Sequence, residues 1–456
     1  MPTNSFDVVI LGAGAAGLAA ADALVRGGQR VAVLEARDRL GGRIATVHPA
    51  FSPAPVELGA QFVHGRPAAI FDLAARGAPP LAIHELTWRP TRSRAGRLES
   101  DPEDFEQARA RLHEQIEPGR RESYAEFLRR AEGEDSTKEA ARDYVEGFHA
   151  ADTGRISAAA VRAADEAEAA CEGERVFQVT GGYDALVRRL AANLDPEHVY
   201  LNTVAHELAW SDAPPGTPPA AVVVRARSRG GFALPDFTAA RALVTLPVGV
   251  LQAPPGEPTG SLRFQPELPP AKRQAIAGLA MGEVARVTLE LRREFWQELT
   301  QRHGAAGANL EFVQSQDPVF PVWWTAQPVS AGLLTAWAGG PRAERLLAVA
   351  GADDGATLRE AVRACARVFG VEVVLVERAL AGWHFHDWSR DPLARGAYSY
   401  LTVGHEDASR RLAEPLADRL FFAGEATHWE GENGTVHGAI SSGQRAAREI
   451  LARVGR

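Results

Sequence analysis

The residues with the clearest chemical meaning are three glycines, Gly12, Gly14 and Gly17, which directly follow the apolar run at 6–11. In this spacing the first glycine permits a tight turn, the second lets a pyrophosphate approach the backbone, and the third lets the next helix pack closely against the strand. The N-terminus of that helix then faces the phosphates. The motif, which includes Ala15, therefore predicts a phosphate-binding loop.

An acidic side chain, Glu35, stands near the end of the next apolar run at 30–36. A carboxylate at this point accepts hydrogen bonds from the 2′-hydroxyl of a ribose and repels a 2′-phosphate. Strand, glycine turn, helix, strand and acid follow one another as in a βαβ dinucleotide-binding unit. We expect a dinucleotide with an unphosphorylated adenosine ribose; a glycine turn without a ligand is the alternative.

The composition is that of an ordinary globular chain, with 456 residues, 45% hydrophobic and 24% charged, and a formal net charge of −8. This length corresponds to two or three domains. Basic side chains are not clustered, which argues against a nucleic-acid partner. No apolar stretch is long enough for a membrane helix, and the N-terminus lacks the pattern of a signal peptide. We expect a cytoplasmic protein without a membrane partner, and the sequence leaves its oligomeric state open.

Cysteine and lysine are both rare. Cys171 and Cys365 are the only cysteines, too few and too far apart for a disulfide framework or a thiolate metal site. The sequence therefore predicts a reducing compartment and no metal. Lys138 and Lys272 are the only lysines, so nearly all of the positive charge is arginine.

The elements that position these residues can be read from periodicity. Capping-box spacing at Ser123 with Glu126, and at Ser136 with Glu139, predicts three helices within residues 102–149. A further helix follows residues 179–182. Strands are expected at 222–224, 242–246, 286–291 and within 318–337, and surface loops at 212–219 and 253–260.

The helical segment is strongly acidic, since residues 101–146 carry 14 acidic and 8 basic side chains. Such a field draws in cationic substrates. A solvated outer face of the helices is the alternative explanation.

Six motifs in order along the chain resemble the flavin-dependent amine oxidases, the family of the monoamine oxidases, the polyamine oxidases and the flavin histone demethylases. The resemblance covers nearly the whole chain and points to a soluble member of bacterial type. The motifs are GAGAAG at 12–17, EARDRLGGR at 35–43, ELGAQFVHG at 57–65, VTLPVGVLQ at 244–252, WSRDPLARGAYSY at 388–400 and RLFFAGEATHWEGENGTVHGAISSGQRAA at 419–447.

The resemblance implies an α/β fold in which a Rossmann-like FAD-binding domain of the glutathione reductase type is interleaved with an α+β substrate domain. In that domain helices flank a mixed sheet. The FAD-binding domain is expected to comprise residues 1–70, 176–270 and 386–456. The substrate domain is expected to take residues 71–175 as its helical part and 271–385 as its sheet.

The resemblance also implies which residues hold FAD. The glycine motif, Glu35 and Val204 are expected to bind the ADP half, and Arg43 is expected to contact the phosphate region. The segment at 59–61 is expected to approach the isoalloxazine. Glu425 is expected to bind the ribityl or pyrophosphate region. An ordinary core valine and a surface ion pair are the alternatives for Val204 and Arg43. The full expected set is Gly12, Gly14, Ala15, Gly17, Glu35, Ala36, Arg37, Gly42, Arg43, Gly59, Ala60, Gln61, Val204, Gly424, Glu425, Thr435 and Val436.

Two features concern how the flavin is held. Ala397 stands where monoamine oxidases carry a covalent flavin thioether, so FAD should be noncovalent. Apolar residues at helical spacing from Ala439 onward predict a helix that begins near Thr435 and Val436. By the resemblance its N-terminus points at the flavin, where helix N–H groups stabilise negative charge.

On the substrate side, the resemblance assigns an aromatic wall. Tyr398 matches the first tyrosine of the monoamine oxidase cage, and Thr435 occupies the place of the second. Trp388 matches a tryptophan beside the flavin ring, and His64 resembles a histidine of the polyamine oxidases. Core packing is the alternative for the two aromatic residues, and a structural role is the alternative for His64.

One departure concerns Arg286, which aligns with the family lysine near flavin N5 that holds a water and is linked to oxygen reduction. Arginine stays charged and bonds as a rigid fork, so it can still orient water and stabilise anions. It can equally weaken oxidase activity.

Together these features predict an FAD-dependent oxidation of a C–N bond. Hydride passes from the α-carbon of a small amine to flavin N5, and molecular oxygen is reduced to hydrogen peroxide. The substrate is a monoamine or a polyamine-like amine. The alternatives are a flavin desaturase or porphyrinogen-type dehydrogenase acting on an apolar molecule, and an interaction protein in which FAD is structural.

Overall fold

The computed structural model describes residues 5–50, 52–86, 90–100, 105–211, 222–257 and 259–454. The loop predicted at 212–219 lies outside the described residues. The strands in chain order are β1 (Ser5–Leu11), β2 (Val31–Leu34), β3 (Thr46–Val47), β4 (Val56–Glu57), β5 (Phe62–His64), β6 (Ile83–Leu86), β7 (Pro90–Arg94), β8 (Arg97–Ser100), β9 (Val176–Val179), β10 (Val199–Tyr200), β11 (Thr203–Trp210), β12 (Val222–Ser228), β13 (Phe237–Val244), β14 (Arg263–Gln265), β15 (Leu279–Met281), β16 (Val284–Leu291), β17 (Phe312–Ser315), β18 (Val322–Thr325), β19 (Leu333–Gly339), β20 (Leu380–Phe385), β21 (Ser399–Leu401) and β22 (Leu420–Phe422).

The helices in chain order are α1 (Ala15–Arg26), α2 (Ala68–Ala75), α3 (Phe105–His113), α4 (Tyr124–Arg130), α5 (Asp135–Phe148), α6 (Ala158–Ala170), α7 (Asp184–Ala191), α8 (Val248–Gln252), α9 (Pro270–Ala277), α10 (Arg293–His303), α11 (Ala305–Ala308), α12 (Gly340–Ala350), α13 (Asp354–Phe369), α14 (Val373–Ala379), α15 (Ala408–Ala413) and α16 (Val436–Leu451).

The first sheet has a parallel centre with the order β10-β2-β1-β13-β22. The first half of β13 pairs instead with β12, which leads to β11 and β14. Residues 8–11 of β1, 31–34 of β2, 242–244 of β13 and all of β22 are apolar and buried, as parallel strands covered by helices require. Four of these strands end at Leu11, Leu34, Val244 and Phe422, so their carboxyl ends meet at one edge, where doubly wound sheets bind ligands.

Small residues let α1 and α16 pack closely on this sheet and on each other. A Cβ at Gly17 would collide with the carbonyl oxygen of Gly12, and a Cβ at Gly443 would collide with the carbonyl oxygen of Ala16. The glycine predicted to bring helix and strand together therefore does so.

The second sheet has the order β20-β16-β19-β18-β17-β7-β8 and is antiparallel except between β17 and β7. Its core is aromatic, with Phe295, Phe320, Trp323 and Phe369 fully buried. Strands β7 and β8 come from residues 71–175, the segment expected to be the helical part of a substrate domain. In that segment β6, β7 and β8 lie between α2 and α3.

The strand predicted at 286–291 is β16. Apolar and polar side chains alternate along it, but the polar face does not meet solvent. The apolar positions face the sheet core, and the polar positions Arg286, Thr288 and Glu290 are buried as well. Thr288 pairs with Thr335, and Glu290 pairs with His384. Both faces of β16 are therefore inside the protein.

Three helices follow β8 within residues 102–149, as the sequence predicted. Ser123 and Glu126 form the expected capping box at the start of α4. The second predicted box is wrong, because α5 begins at Asp135 and places Ser136 inside the helix. The N-cap is Glu134, so the helix begins two positions closer to the N-terminus than the Ser136 signal indicated.

Three shorter sheets accompany the two large ones: β3 with β4, β15 with β21, and β5-β9-β6. Within the described ranges, no helix combines the length and apolarity needed to cross a membrane. Both cysteines are free thiols.

Candidate functional site

One cavity of 1590 Å³ runs from the carboxyl edge of the first sheet to the face of the second sheet and the helices α3, α5 and α6. Cavities of about 300–1,000 Å³ hold a drug-sized ligand, so this one has room for more than that. All of the residues predicted to bind cofactor or substrate line it, except Gly17.

The glycine motif forms an open cradle at one end of the cavity. Gly12 has a φ of +105°, and a Cβ there would lie 2.9 Å from Thr245 Oγ1. Gly14 has no atom within 4 Å of the place of its missing Cβ. Gly42 faces it, with its own Cβ position 3.4 Å from Gly14 Cα. Open space above Gly14, beside the start of α1, fits the close approach of a pyrophosphate.

The carboxylate of Glu35 is fixed beside this cradle. Its two oxygens accept hydrogen bonds from the backbone N–H groups of Ala13 and Arg37, each at 2.8 Å. A carboxylate has about four acceptor positions, so capacity remains for ribose hydroxyls. Ala36 and Val204 line the same end, and Val204 is buried. This end of the cavity fits an adenosine.

Arg43 lies in an ion pair, but at the cavity wall rather than at the protein surface. Its Nη1 donates to Glu425 Oε1 at 2.9 Å and to the carbonyl of Ala397 at 2.8 Å. Glu425 also accepts from Ser399 Oγ at 2.6 Å and from the N–H of Gly434 at 2.9 Å. The pair ties the N-terminal motif to the C-terminal motif.

Gly424 precedes Glu425 with a φ of +132°, a conformation that favours glycine.

Arg37 pairs with Asp391 at 2.8 Å, and its guanidinium lies 5.6 Å from the ring centroid of Trp388. Trp388 itself is buried and donates from Nε1 to the carbonyl of Leu58 at 2.8 Å. The tryptophan therefore braces the segment that precedes Gly59.

Arg286 holds the segment at residues 59–61. Its Nη1 donates to the carbonyl of Gly59 at 2.7 Å, and its Nη2 donates to Gln61 Oε1. Trp324 Nε1 donates to the same oxygen of Gln61 at 3.2 Å. Ala60 lies on the cavity wall between them. The guanidinium thus acts as a clamp on this loop.

A buried acid, Glu57, lies close enough to Arg286 to feel its charge. Burial raises the pKa of Glu57 to about 7, although the N–H of Tyr183, the hydroxyl of Thr46 and the charge of Arg286 favour the carboxylate. Burial lowers the pKa of Arg286 to about 10, opposed by Glu57. Arg286 is therefore charged at neutral pH, whereas Glu57 titrates there.

Tyr398 lines the cavity, and its hydroxyl donates to the carbonyl of Phe148 at 2.7 Å. Burial, and then the charge of Glu425, raises the pKa of Tyr398, so the hydroxyl stays protonated. A Cβ at Gly434 would lie 3.2 Å from the ring of Tyr398, so the loop before α16 packs against it.

Thr435 is the N-cap of α16, as the sequence predicted. Its Oγ1 accepts from the N–H of Gly438 at 2.9 Å and donates to the carbonyl of Glu432 at 2.7 Å. Thr435 and Val436 line the cavity, so the positive end of the helix dipole lies at its wall.

His64 and His437 both lie in the cavity wall and are neutral at physiological pH. Burial lowers the pKa of His64 to about 4. Burial, and then His64 and His428, lowers the pKa of His437 to about 3. The ring of His64 meets Phe148 edge-on, with centroids 5.0 Å apart.

Sequence reasoning missed the aromatic residues that come from the second sheet and from α5. Trp324 and Trp337 lie with ring centroids 5.9 Å apart. Tyr144 and Phe148 stack at 5.1 Å, and His149 meets Phe148 edge-on. All five line the cavity. The family motifs do not include them, and only the tertiary fold brings β18, β19 and α5 together.

The acidic segment turns out to face the cavity in part. Glu114, Glu134, Glu139 and Asp143 all belong to its lining. These carboxylates give the wall a negative character, which favours cations near it. Lys272 lies elsewhere, where its Nζ donates to carbonyl oxygens at the end of α15.

A dinucleotide-binding sheet whose cradle opens into an aromatic cavity is the architecture of a cofactor-dependent oxidoreductase. The model of the family described as flavin-containing amine oxidoreductases matches residues 15–451, and the chain belongs to that family.

Two relatives from Oryza sativa subsp. japonica illustrate the match. Polyamine oxidase 1 is 31% identical, with 97% of this chain and 96% of the relative covered. Lysine-specific histone demethylase 1 homolog 2 is 30% identical over 97% of this chain, which spans 57% of that longer protein. The chain thus spans little more than half of the demethylase relative and nearly all of the polyamine oxidase.

Solved structures share the fold at lower identity. Wild-type putrescine oxidase bound to putrescine has a TM-score of 0.78 at 22% identity, with 99% of this chain and 100% of that chain covered. Cyclohexylamine oxidase from Brevibacterium oxydans has a TM-score of 0.78 at 20% identity with the same coverage. The predicted α/β fold class is confirmed.

Proposed function

We propose that the protein is an amine oxidase that uses noncovalently bound FAD. The observation that carries the proposal is one continuous cavity, in which the dinucleotide cradle around Gly14 and Glu35 opens directly onto a wall of aromatic rings and neutral histidines. Membership of the flavin-containing amine oxidoreductases supports it.

The residues of the cradle suit FAD. Gly12, Gly14, Gly42 and Arg43 would hold the pyrophosphate region, and Glu35 would hold the adenosine ribose. Ala397 has no group that could bond covalently to a flavin, which supports noncovalent binding. When bound, FAD supplies the hydride acceptor, atom N5, and later passes the two electrons to oxygen.

The overall reaction takes an amine, oxygen and water to an aldehyde, the released amine or ammonia, and hydrogen peroxide. The C–H bond at the amine α-carbon and the C–N bond break, and oxygen gains two electrons and two protons. A neutral amine is needed, because an ammonium has no lone pair to assist loss of hydride. The aromatic wall and the neutral His64 favour that uncharged form next to the reacting carbon.

The chain's residues orient the amine and exclude water. Tyr398 is held by its bond to Phe148 and by the packing of Gly434, so its ring presents a fixed surface. Trp324 and Trp337 add two further aromatic faces to the cavity wall, and Trp337 donates from Nε1 to the carbonyl of Gly147 in α5. Fixed aromatic faces position a substrate with little loss of conformational entropy.

The substrate class follows from the acidic wall and from the relatives. Carboxylates such as Glu134 and Glu139 would draw in a cationic amine, and the relatives include a polyamine oxidase. A small monoamine is compatible with the aromatic wall and remains part of the test.

A second candidate, a flavin dehydrogenase that passes electrons to a carrier, is favoured by one observation. Arg286 stands in place of the family lysine that is linked to oxygen reduction, and both of its terminal nitrogens donate to the loop at Gly59 and Gln61.

The test is to incubate the purified, FAD-containing protein with a panel of primary amines, secondary amines and polyamines. Turnover is monitored by measuring peroxide and aldehyde in parallel. Amine oxidase activity requires equal amounts of peroxide and aldehyde. Aldehyde formed only with an artificial electron acceptor would support the dehydrogenase instead.

A further inference from the structure

The loop before α16 places one carboxylate, Glu432, in the cavity wall. Thr435 donates to its backbone carbonyl at 2.7 Å, and a Cβ at Gly431 would collide with the carbonyl of Ala163 in α6. The backbone on both sides is therefore fixed. The side chain of Glu432 is 24% exposed and lines the cavity near His437.

No positive side chain balances this carboxylate. Across the described residues, no arginine or lysine lies within 4.0 Å of Glu432; its partners are His428 Nε2 at 3.3 Å and His437 Nε2 at 4.0 Å. Burial lowers the pKa of both histidines, so neither supplies a charge at neutral pH. Burial and the nearby Glu430 raise the pKa of Glu432, as expected of an anion without a cation.

A half-buried anion with only neutral partners is costly, and a cation that reaches it recovers that cost. Two other carboxylates that line the cavity differ in this respect. Glu425 is paired with Arg43, and Glu35 accepts two backbone N–H groups. Among these three carboxylates, Glu432 is the one whose charge a cationic ligand can balance.

We propose that Glu432 binds the second, charged ammonium group of a diamine or polyamine substrate and thereby selects it over a monoamine. The proposal rests on the proposed amine oxidase function. One end of the substrate is neutral at the reacting carbon, beside the aromatic wall, and the other end stays protonated at the carboxylate. A monoamine leaves the carboxylate unpaired and so gains nothing from it.

The test compares Glu432→Gln with Glu430→Gln. Glu430 lies two positions earlier in the same loop, is exposed and does not line the cavity, so its variant removes the same formal charge outside the site. The substrates are the linear α,ω-diamines of three to eight carbons and the monoamines of equal carbon number. Anaerobic stopped-flow reduction of the flavin gives the dissociation constant and the limiting reduction rate separately.

Glu432→Gln should raise the dissociation constant of the best diamine by about 10- to 100-fold, as expected for the loss of a charge-assisted hydrogen bond. The limiting rate, and all constants for the matched monoamine, should change by less than about threefold. Glu430→Gln should resemble the wild type, and Glu432→Asp should retain part of the preference for the diamine. The flavin spectrum and thermal midpoint of each variant report whether the site is intact.

Equal losses for diamine and monoamine, or a wild type that prefers monoamines, would overturn the assignment of Glu432 while amine oxidation stands. A wild type that is reduced by no amine would overturn the proposed function, and the assignment with it.

Discussion

Glu57 is buried, and its titration makes stability depend on pH in a predictable direction. Its pKa is about 7 in the folded protein and close to 4.5 when exposed. Between these values the folded state keeps a proton that the unfolded chain releases, so stability falls as the pH rises from about 4.5 to about 7. At 1.36 kcal/mol per pKa unit, the full loss is about 3 kcal/mol.

Glu57→Gln removes this titration but keeps the shape of the side chain. The amide oxygen can still accept from the N–H of Tyr183, and the amide nitrogen can donate to Thr46. Relative to the wild type, the free energy of unfolding of this variant should therefore rise by about 2 to 3 kcal/mol between pH 5 and pH 8.

The assay is urea unfolding of the FAD-saturated protein at several pH values, followed by circular dichroism. Glu267→Gln is the control, because the Glu267 side chain is 81% exposed and its removal should give a difference that does not vary with pH. A Glu57→Gln difference that is constant from pH 5 to pH 8, or that falls, would refute the assignment of a protonated Glu57.

Three further predictions concern other buried groups. Lys272→Met leaves three carbonyl oxygens without their donor and should lower stability by about 2 kcal/mol. Because burial lowers the pKa of Lys272 to about 8, the stability of the wild type should also rise between about pH 8 and 10.5. Urea unfolding of both proteins measures the two effects. Gly14→Ala should leave the stability of the apoprotein within about 0.5 kcal/mol and weaken FAD binding at least about tenfold, whereas Gly17→Ala, which collides with Gly12, should cost more than about 2 kcal/mol; fluorescence titration with FAD and thermal unfolding separate the two. Arg286→Lys reaches one of two acceptors and should cost about 1.5 to 3 kcal/mol, seen as a lower thermal midpoint with earlier release of flavin.

Each of these predictions has a contrary outcome. A Lys272→Met variant as stable as the wild type would mean that water replaces the ammonium at the end of α15. Equal effects of the two glycine variants on FAD affinity and stability would remove the distinction between cradle and packing. An Arg286→Lys variant with unchanged flavin retention would show that the clamp on residues 59–61 is dispensable.

The local parts of the site were accessible from the sequence, because neighbouring residues define them. Gly12, Gly14 and Glu35 fall on one βαβ unit, and the N-cap at Thr435 follows from its own helix. In such units the chain that forms the turn also forms the ligand contact.

The remaining parts depend on residues that are far apart in sequence. Arg43 and Glu425, separated by 382 positions, meet only once the sheet is assembled. The periodicity of β16 predicted a strand but not that Arg286 would hold the carbonyl of Gly59, because the pattern of a polar face is the same whether that face meets water or a buried partner. The charge balance around Glu432 is likewise a property of the folded cavity alone.

Oxidation of an amine by a bound flavin can be observed by anaerobic titration of the purified protein with amines, followed by admission of air. We expect a diamine or polyamine to bleach the visible flavin bands, and air to restore them with release of one peroxide per flavin. A flavin that a chemical reductant bleaches but that no amine in the panel reduces would contradict this expectation.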